Sequence, residues 1–128
     1  MPEECLRVLV VDDDRVQLEL IERTLRREGF DVITCSSPIG VTNVVRAFAP
    51  HVVLIDVNIP ALSGDRLLGV ARRGAPDRTR FVLYSATDES TLRKLANDVD
   101  ADGWVSKSVT GSDLAVRLRM FARSAQKR

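Results

Sequence analysis

Short apolar runs alternate with longer segments of helical periodicity along the whole chain. The apolar runs are rich in β-branched residues and predict five strands, at residues 6–11, 32–35, 52–55, 81–84 and 104–105. Near-continuous apolar strands of this kind are typical of a parallel sheet that is buried on both faces. The pattern therefore predicts a sheet with helices on each side.

The segment after the first strand has the clearest helical pattern. Leu18, Ile21 and Leu25 fall on one face of a helix. Asp14 can accept hydrogen bonds from the first free amides of that helix, and Gly29 can adopt the left-handed conformation that ends it. These signals predict an amphipathic helix between Asp14 and Gly29.

Similar signals predict four further helices. Ser37 and Pro38 supply a cap and a first-turn proline for a helix at residues 39–48. Two more are expected at about 64–73 and about 88–99, the first of them ending before the Gly-Ala-Pro break at 74–76. The last helix begins at Ser112 and carries one apolar stripe, which consists of Leu114, Leu118, Phe121 and Ala125.

The order of strand then helix, repeated five times with short connections, defines the fold class. It predicts an α/β fold: a doubly wound five-stranded parallel sheet with five helices, in three α/β/α layers. In this interpretation residues 1–128 form a single domain. The core covers residues 5–122, and residues 123–128 are a candidate tail or start of a linker.

The amino-acid composition excludes several classes of protein and of binding partner. Apolar residues make up 45% of the chain and charged residues 29%, which is typical of a globular domain. The net charge of +1 predicts no direct nucleic-acid binding and no membrane partner. No apolar run approaches the ~20 residues of a membrane span, so a cytoplasmic location is expected.

Cys5 and Cys35 are expected to be reduced packing residues, too far apart for a disulfide.

Four of the five apolar runs are followed by residues that can take part in chemistry. They are Asp12, Asp13 and Asp14 after the first run, Asp56 after the third, Ser85 after the fourth and Lys107 after the fifth. In a doubly wound sheet, ligands bind beyond the carboxyl ends of the strands. We therefore expect these side chains to meet at one edge, with Asp14 serving as a helix cap.

A group of carboxylates at one edge indicates a metal. Three carboxylates within ~5 Å would repel one another by several kcal/mol at an effective dielectric constant of about 20. A divalent cation offsets that repulsion. Ligands that are all oxygen favour Mg²⁺, with Mn²⁺ as the alternative.

The remaining groups restrict the reaction. The chain has neither G-x-x-x-x-G-K-[ST] nor G-x-G-x-x-G, so no glycine-rich cofactor loop is predicted. The lone His51 begins a strand, at the opposite edge of the sheet, and is interpreted as a structural or surface residue. A metal, a carboxylate nucleophile, a hydroxyl and an ammonium suit the transfer of a phosphoryl group to the carboxylate.

The motifs at these strand ends are Val10-Val11-Asp12-Asp13-Asp14, Asp56-Val57-Asn58-Ile59-Pro60 with Ser63-Gly64, Ser85-Ala86, and Gly103-Trp104-Val105-Ser106-Lys107. Together they resemble the receiver domain of two-component response regulators, the family that includes the single-domain chemotaxis regulator. The resemblance covers essentially the whole chain. It implies the flavodoxin-like strand order 2-1-3-4-5.

The resemblance also assigns the acceptor and the metal ligands. It implies that Asp56 accepts the phosphoryl group. Asp12 and Asp13 match the acidic pair that holds Mg²⁺, together with Asp56 and the backbone carbonyl of Asn58.

Three further residues match positions that respond to the phosphoryl group. Ser85 and Lys107 correspond to the hydroxyl and the lysine that contact it, and Ser85 and Trp104 to the switch pair. Two residues depart from the family pattern. Ile59 replaces a common methionine, and Ser108 replaces the proline that usually follows the lysine, often through a cis bond. The Lys107-Ser108 bond is therefore either cis or a trans bond in a reshaped loop.

The implied function is a phosphorylation-controlled switch in a two-component phosphorelay. A sensor histidine kinase or histidine phosphotransfer protein would be the donor, and an effector protein or domain the downstream partner. The face made by the fourth helix, the fifth strand and the fifth helix would change its affinity for partners, and it is also a candidate surface for homodimerisation. Val116 and Met120 lie off the core stripe of the fifth helix and are a candidate exposed surface for a partner.

Two other functions are open at this point. The first is a receiver-like interaction module that does not use phosphorylation, which only Ser108 favours. The second is a Mg²⁺-dependent phosphohydrolase acting on external substrates, but no segment between the strands is long enough to form a cap. We therefore expect no enzyme activity beyond phosphorylation and dephosphorylation of the chain itself.

Overall fold

The computed structural model describes residues 5–57, 68–69 and 72–126. Its five strands are β1 (Arg7–Val11), β2 (Asp31–Cys35), β3 (Val52–Asp56), β4 (Arg80–Ser85) and β5 (Gly103–Ser106). They form one sheet in the order β2-β1-β3-β4-β5, and every neighbouring pair is parallel. The predicted class and strand order are confirmed.

Helices account for most of the other described residues. They are α1 (Arg15–Arg27), α2 (Val41–Phe48), α3 (Glu89–Asp98) and α4 (Gly111–Gln126). Among the described residues there are thus four helices rather than the five predicted. The predicted helix at about 64–73 falls largely outside the described residues. Within that range Leu68, Gly69 and Arg72 are described as helical. The helices α3 and α4 correspond to the fourth and fifth predicted helices.

The ends of α1 form as predicted. Asp14 Oδ1 accepts hydrogen bonds from the backbone N–H groups of Val16 and Gln17, at 3.0 and 3.2 Å. At the other end Gly29 has φ 93°, in the left-handed region that favours glycine. The next amide, of Phe30, then donates to the carbonyl of Leu25 at 3.0 Å, which closes the helix.

The start of α2 differs from the prediction. The helix begins at Val41, not at Ile39, and Gly40 before it has φ 85°. The Ser37 hydroxyl accepts a hydrogen bond from the Ile39 amide, and the Val41 amide donates to the carbonyl of Pro38. Ser37 therefore caps a turn ahead of the helix, because a left-handed residue cannot lie inside a right-handed helix.

The core lies on both faces of the sheet. One cluster packs β-strand residues against α1 and α4, and its helical members are Leu18, Ile21, Leu25, Leu114, Ala115, Leu118 and Ala122. On the other face Val41 and Val45 of α2 and Leu92 and Ala96 of α3 cover the sheet. All five residues of β3 are buried. This is the predicted three-layer arrangement.

The amino-terminal edge of the sheet carries no part of the predicted site. His51 is buried there, and its Nδ1 accepts a hydrogen bond from the Arg7 amide at 2.9 Å, which confirms a structural role. Both cysteines are free. Cys35 is half-buried, and burial raises the pKa of its thiol. Cys5 is exposed just before β1, so the packing role predicted for it is wrong.

None of the described helices combines the length and the hydropathy that crossing a membrane requires.

The Asp88 cap of α3 is expected to make the stability of the protein depend on pH. Asp88 accepts hydrogen bonds from the Thr91 amide and from the hydroxyls of Ser90 and Thr91, and these lower its pKa from 3.8 to about 2. Because the folded pKa is depressed, the stabilisation is complete above pH 3.8 and is lost as the pH falls through about 2. We expect Asp88→Ala to be less stable than wild type at pH 7, with the difference shrinking as the pH approaches 2.

Urea unfolding of both proteins at several pH values measures this difference. Asp98→Ala is the matched control, because Asp98 is an exposed carboxylate at the other end of the same helix. A difference between Asp88→Ala and wild type that stays constant from pH 7 to pH 2.5 would contradict the assignment.

Candidate functional site

The carboxyl edge of the sheet gathers three carboxylates. Asp12 follows β1 and Asp56 ends β3, and both are buried, whereas Asp13 is exposed. One carboxylate oxygen from each of the three lies within 4.8 Å of the others. The predicted meeting of these residues is confirmed.

The register of two strands explains this meeting. Val11 of β1 pairs with Ile55 of β3, so Asp12 and Asp56 follow at the same level. The two aspartates are adjacent because the parallel register that pairs Val11 with Ile55 continues to the next residue of each chain segment.

Lys107 joins the two buried carboxylates. Its Nζ lies 3.1 Å from Asp12 Oδ2 and 3.3 Å from Asp56 Oδ2. Burial lowers the pKa of Lys107, but the hydrogen bond to Asp12 and the charges of Asp56 and Asp12 outweigh burial and raise it overall. The ammonium is therefore firmly protonated between its two partners.

One ammonium does not balance three carboxylates. Two unit charges 4.8 Å apart repel by about 3 kcal/mol at an effective dielectric constant of 20. The donor set consists of carboxylate oxygens, and Mg²⁺ and Mn²⁺ are hard cations that bind such oxygens. The cluster thus fits the predicted divalent ion. The carbonyl of Asn58, predicted as a further ligand, lies outside the described residues.

Ser85 and Lys107 are linked through the backbone. Ser85 is fully buried at the end of β4, and its Oγ accepts a hydrogen bond from the Thr87 amide at 3.1 Å. The Lys107 amide donates to the Ser85 carbonyl at 2.8 Å. Ser85 thus ends β4 and Lys107 follows the neighbouring β5, both at the edge that holds the carboxylates.

Trp104 lies on the face of β5 that α3 covers. It is half-buried and packs against the cluster of Leu83, Leu92 and Ala96. The guanidinium carbon of Arg93 is 5.7 Å from its ring centroid. The predicted switch residue therefore contacts the helix whose surface is expected to change.

The bond after Lys107 is trans, because no described peptide bond is cis. Of the two geometries predicted, the reshaped loop is the one present. The Ser108 amide donates to the Ser106 Oγ at 3.2 Å, and the two serine hydroxyls are 2.8 Å apart. A hydroxyl-closed turn therefore forms where the family usually has a proline.

Two further residues at the site, Tyr84 and Gln17, were not predicted from the sequence. The Lys107 Nζ is 5.3 Å from the centroid of the Tyr84 ring, and the Tyr84 hydroxyl accepts a hydrogen bond from Gln17 Nε2 at 3.3 Å. Burial raises the pKa of the Tyr84 hydroxyl more than Gln17 and Lys107 lower it, so the phenol is neutral. The available signal was a tyrosine in an otherwise aliphatic strand end, directly before Ser85.

The hydrogen bond that closes the turn after Lys107 is expected to contribute to the stability of the protein. Ser106→Ala removes the acceptor of the Ser108 amide and leaves that amide without its partner in the turn. We expect the free energy of unfolding to fall by about 1 kcal/mol, as measured by urea denaturation. Ser108→Ala is the control, because it keeps the acceptor on Ser106. Equal losses in both variants, or a larger loss in Ser108→Ala, would contradict this account.

Known proteins share both the sequence pattern and the fold. A family model described as the response regulator receiver domain matches residues 8–119. "Response regulator MprA" of Mycobacterium tuberculosis is 30% identical over 120 residues, and "Transcriptional regulatory protein KdpE" of the same species is 34% identical over 116 residues. These alignments cover 92% and 91% of this chain. They cover 51% and 50% of the two relatives, so the chain spans about half their length.

Solved structures give the same fold. A CheY-like receiver domain protein from Methanospirillum hungatei JF-1 has a TM-score of 0.84 at 21% identity, with 97% of this chain and 98% of that chain covered. A receiver domain protein from Clostridium thermocellum has a TM-score of 0.80 at 24% identity, with 94% and 97% covered. At these identities the likeness concerns the fold alone.

Proposed function

Because the chain belongs to the response regulator receiver domain family, we propose that it is a phosphorylation-controlled switch in which Asp56 accepts the phosphoryl group. The observation that carries the proposal is the place of Asp56. Its buried carboxylate lies beside two other carboxylates and within 3.3 Å of an ammonium. That combination supplies a nucleophile, an ammonium that offsets part of the charge of a phosphoryl group, and carboxylates that would hold a divalent cation for the rest.

Asp12, Asp13 and Asp56 would hold Mg²⁺, with the backbone carbonyl of Asn58 as a further ligand and Mn²⁺ as an alternative ion. Receiver domains bind Mg²⁺ at an acidic cluster of this kind, and the cluster is present here. The ion would supply positive charge beside the transferring phosphoryl oxygens. No other cofactor is proposed.

The reaction forms one bond and breaks one. A carboxylate oxygen of Asp56 attacks the phosphorus of a phosphohistidine, the P–N bond breaks, and an acyl phosphate remains on Asp56. The imidazole nitrogen leaves with the electron pair of that bond. The ammonium of Lys107, now between Asp12 and Asp56, would turn toward the added phosphoryl oxygens, and the Ser85 hydroxyl would donate a hydrogen bond to one of them. Hydrolysis of the acyl phosphate later restores the carboxylate.

The response would pass to the face formed by α3, β5 and α4. Ser85 and Trp104 would act as the switch pair, because Ser85 ends β4 and Trp104 of the neighbouring β5 pairs with Leu83, two residues before Ser85, and packs against α3. Phosphorylation would shift the populations of two packings of this face. Val116 and Met120 on α4 are 51% and 62% exposed and offer apolar contacts to a partner.

The proposed partners follow from this role. The donor would be a sensor histidine kinase or a histidine phosphotransfer protein, and the target an effector protein or domain. A second copy of the chain could also bind through the α3, β5 and α4 face. We place this activity in the cytoplasm and propose no enzyme activity beyond the chain's own phosphorylation and dephosphorylation. A module that ignores phosphorylation is not favoured, because Asp12, Asp13, Asp56 and Lys107 are all in contact range.

A phosphorylation assay tests the acceptor. Wild type incubated with Mg²⁺ and acetyl phosphate is expected to gain one phosphoryl group, detected by intact-mass spectrometry, while Asp56→Asn gains none. Emission from Trp104 should change in wild type and stay constant in Asp56→Asn. Asp98→Asn, an exposed carboxylate at the end of α3, is the matched control and should behave as wild type. An adduct of equal yield on Asp56→Asn would overturn the assignment.

Metal binding is tested separately. Mg²⁺ should raise the thermal unfolding temperature of wild type, since a ligand that binds only the folded state stabilises it. Asp13→Asn should stabilise the Mg²⁺-free protein, because it removes one repelling charge, and weaken Mg²⁺ binding by about tenfold. Asp14→Asn is the control, because asparagine keeps the cap of α1 and adds no ligand. Equal weakening by both substitutions would contradict the proposed ligand set.

A further inference from the structure

Tyr84 lies against the ammonium of Lys107, and the phosphoryl chemistry proposed above does not use it. The Lys107 Nζ is 5.3 Å from the ring centroid, within the range of a cation–π contact. Tyr84 is 1% exposed and the Lys107 side chain is 21% exposed, so the contact is partly shielded from water. Its hydroxyl is held by Gln17 of α1, which fixes the outer end of the ring.

Strand register places Tyr84 in the path of the lysine. Tyr84 pairs with Asp56 of β3 on one side and with Val105 of β5 on the other. Lys107 comes two residues after Val105, so it follows the same face of the sheet. Neighbouring strands are about 4.8 Å apart, and the lysine must cross β4 to reach Asp56. The residue of β4 on that face, at that level, is Tyr84.

A core-filling role alone does not account for this residue. Tyr84 belongs to the cluster with Val10, Leu54, Val82 and Val105, where an aliphatic side chain would fill space without a polar group. A buried phenol costs free energy unless it is hydrogen-bonded, and here α1 supplies Gln17 for that purpose. The arrangement presents a rigid aromatic face to a cation that has a long, flexible stem.

We propose that Tyr84 is a positioning residue whose ring holds the Lys107 ammonium above Asp56, where the phosphoryl group arrives. This inference rests on the proposed function. Tyr84 touches no reacting atom and acts only through the lysine. Without the ring, the Lys107 side chain would sample more rotamers, and fewer of them would meet the phosphoryl oxygens.

A double-mutant cycle tests the proposal. We compare the rate of phosphorylation by acetyl phosphate with Mg²⁺ in wild type, Tyr84→Leu, Lys107→Met and Tyr84→Leu/Lys107→Met. Tyr84→Leu should slow the reaction at saturating acetyl phosphate about three- to tenfold, as the loss of a partly buried cation–π contact implies. In the Lys107→Met background the same substitution should change nothing further, because the cation on which Tyr84 acts is gone. Tyr84→Phe keeps the ring and should retain most of the wild-type rate.

Equal slowing by Tyr84→Leu with and without Lys107 would overturn the proposal and leave a packing role. If Tyr84→Leu does not fold, Tyr84→pentafluorophenylalanine replaces it, with Tyr84→Phe as its reference. Fluorination keeps the shape and reverses the charge of the ring face, so it should slow phosphorylation, and equal rates would overturn the proposal. If wild type gains no phosphoryl group at all, the proposed function fails. If wild type is phosphorylated and Tyr84→Leu matches it, only the role of Tyr84 fails.

Discussion

Two buried carboxylates, Asp12 and Asp56, meet at the carboxyl edge of the sheet and constrain everything around them. Buried charges are costly unless they are paired and hydrogen-bonded. Lys107 contacts both, but its single charge leaves excess negative charge once Asp13 is counted. The lengths of β1 and β3, their register and the turn after β5 all serve to bring these groups together. The remaining negative charge is what makes the edge receptive to a divalent cation.

The acidic cluster could be predicted because its causes are local. Asp12 and Asp56 each follow an apolar run, and the ends of parallel strands meet without any knowledge of side-chain packing. The start of α2 could not, because two signals compete within four residues. Ser37 and Pro38 are residues that often begin a helix. Here the Ser37 hydroxyl and the Pro38 carbonyl accept hydrogen bonds within a turn that precedes the helix. Gly40 then adopts a left-handed conformation, so the helix begins only at Val41.

The surroundings of Lys107 were beyond sequence reasoning for a different reason. A peptide bond before a residue other than proline is trans by default, and the bond to Ser108 is trans. That the Ser106 hydroxyl accepts from the Ser108 amide depends on the shape of the turn, which the residue types alone do not determine. The contact with Tyr84 depends on the register of β4 between β3 and β5. A shift of one residue would turn Tyr84 to the other face. Such contacts between distant segments are set by the sheet as a whole.

The register of β4 and β5 also connects the site, through few residues, to the face formed by α3, β5 and α4. The Lys107 amide donates a hydrogen bond to the Ser85 carbonyl. Trp104 precedes Lys107 by three residues and lies on the opposite face of β5. Trp104 in turn lies against α3, with Arg93 over its ring. In the proposed function, an acyl phosphate on Asp56 draws the ammonium of Lys107 and the hydroxyl of Ser85 toward the added charge. Because Ser85 ends β4 and Lys107 follows β5, their displacement would act on the β4–β5 ladder, where the half-buried Trp104 packs against α3.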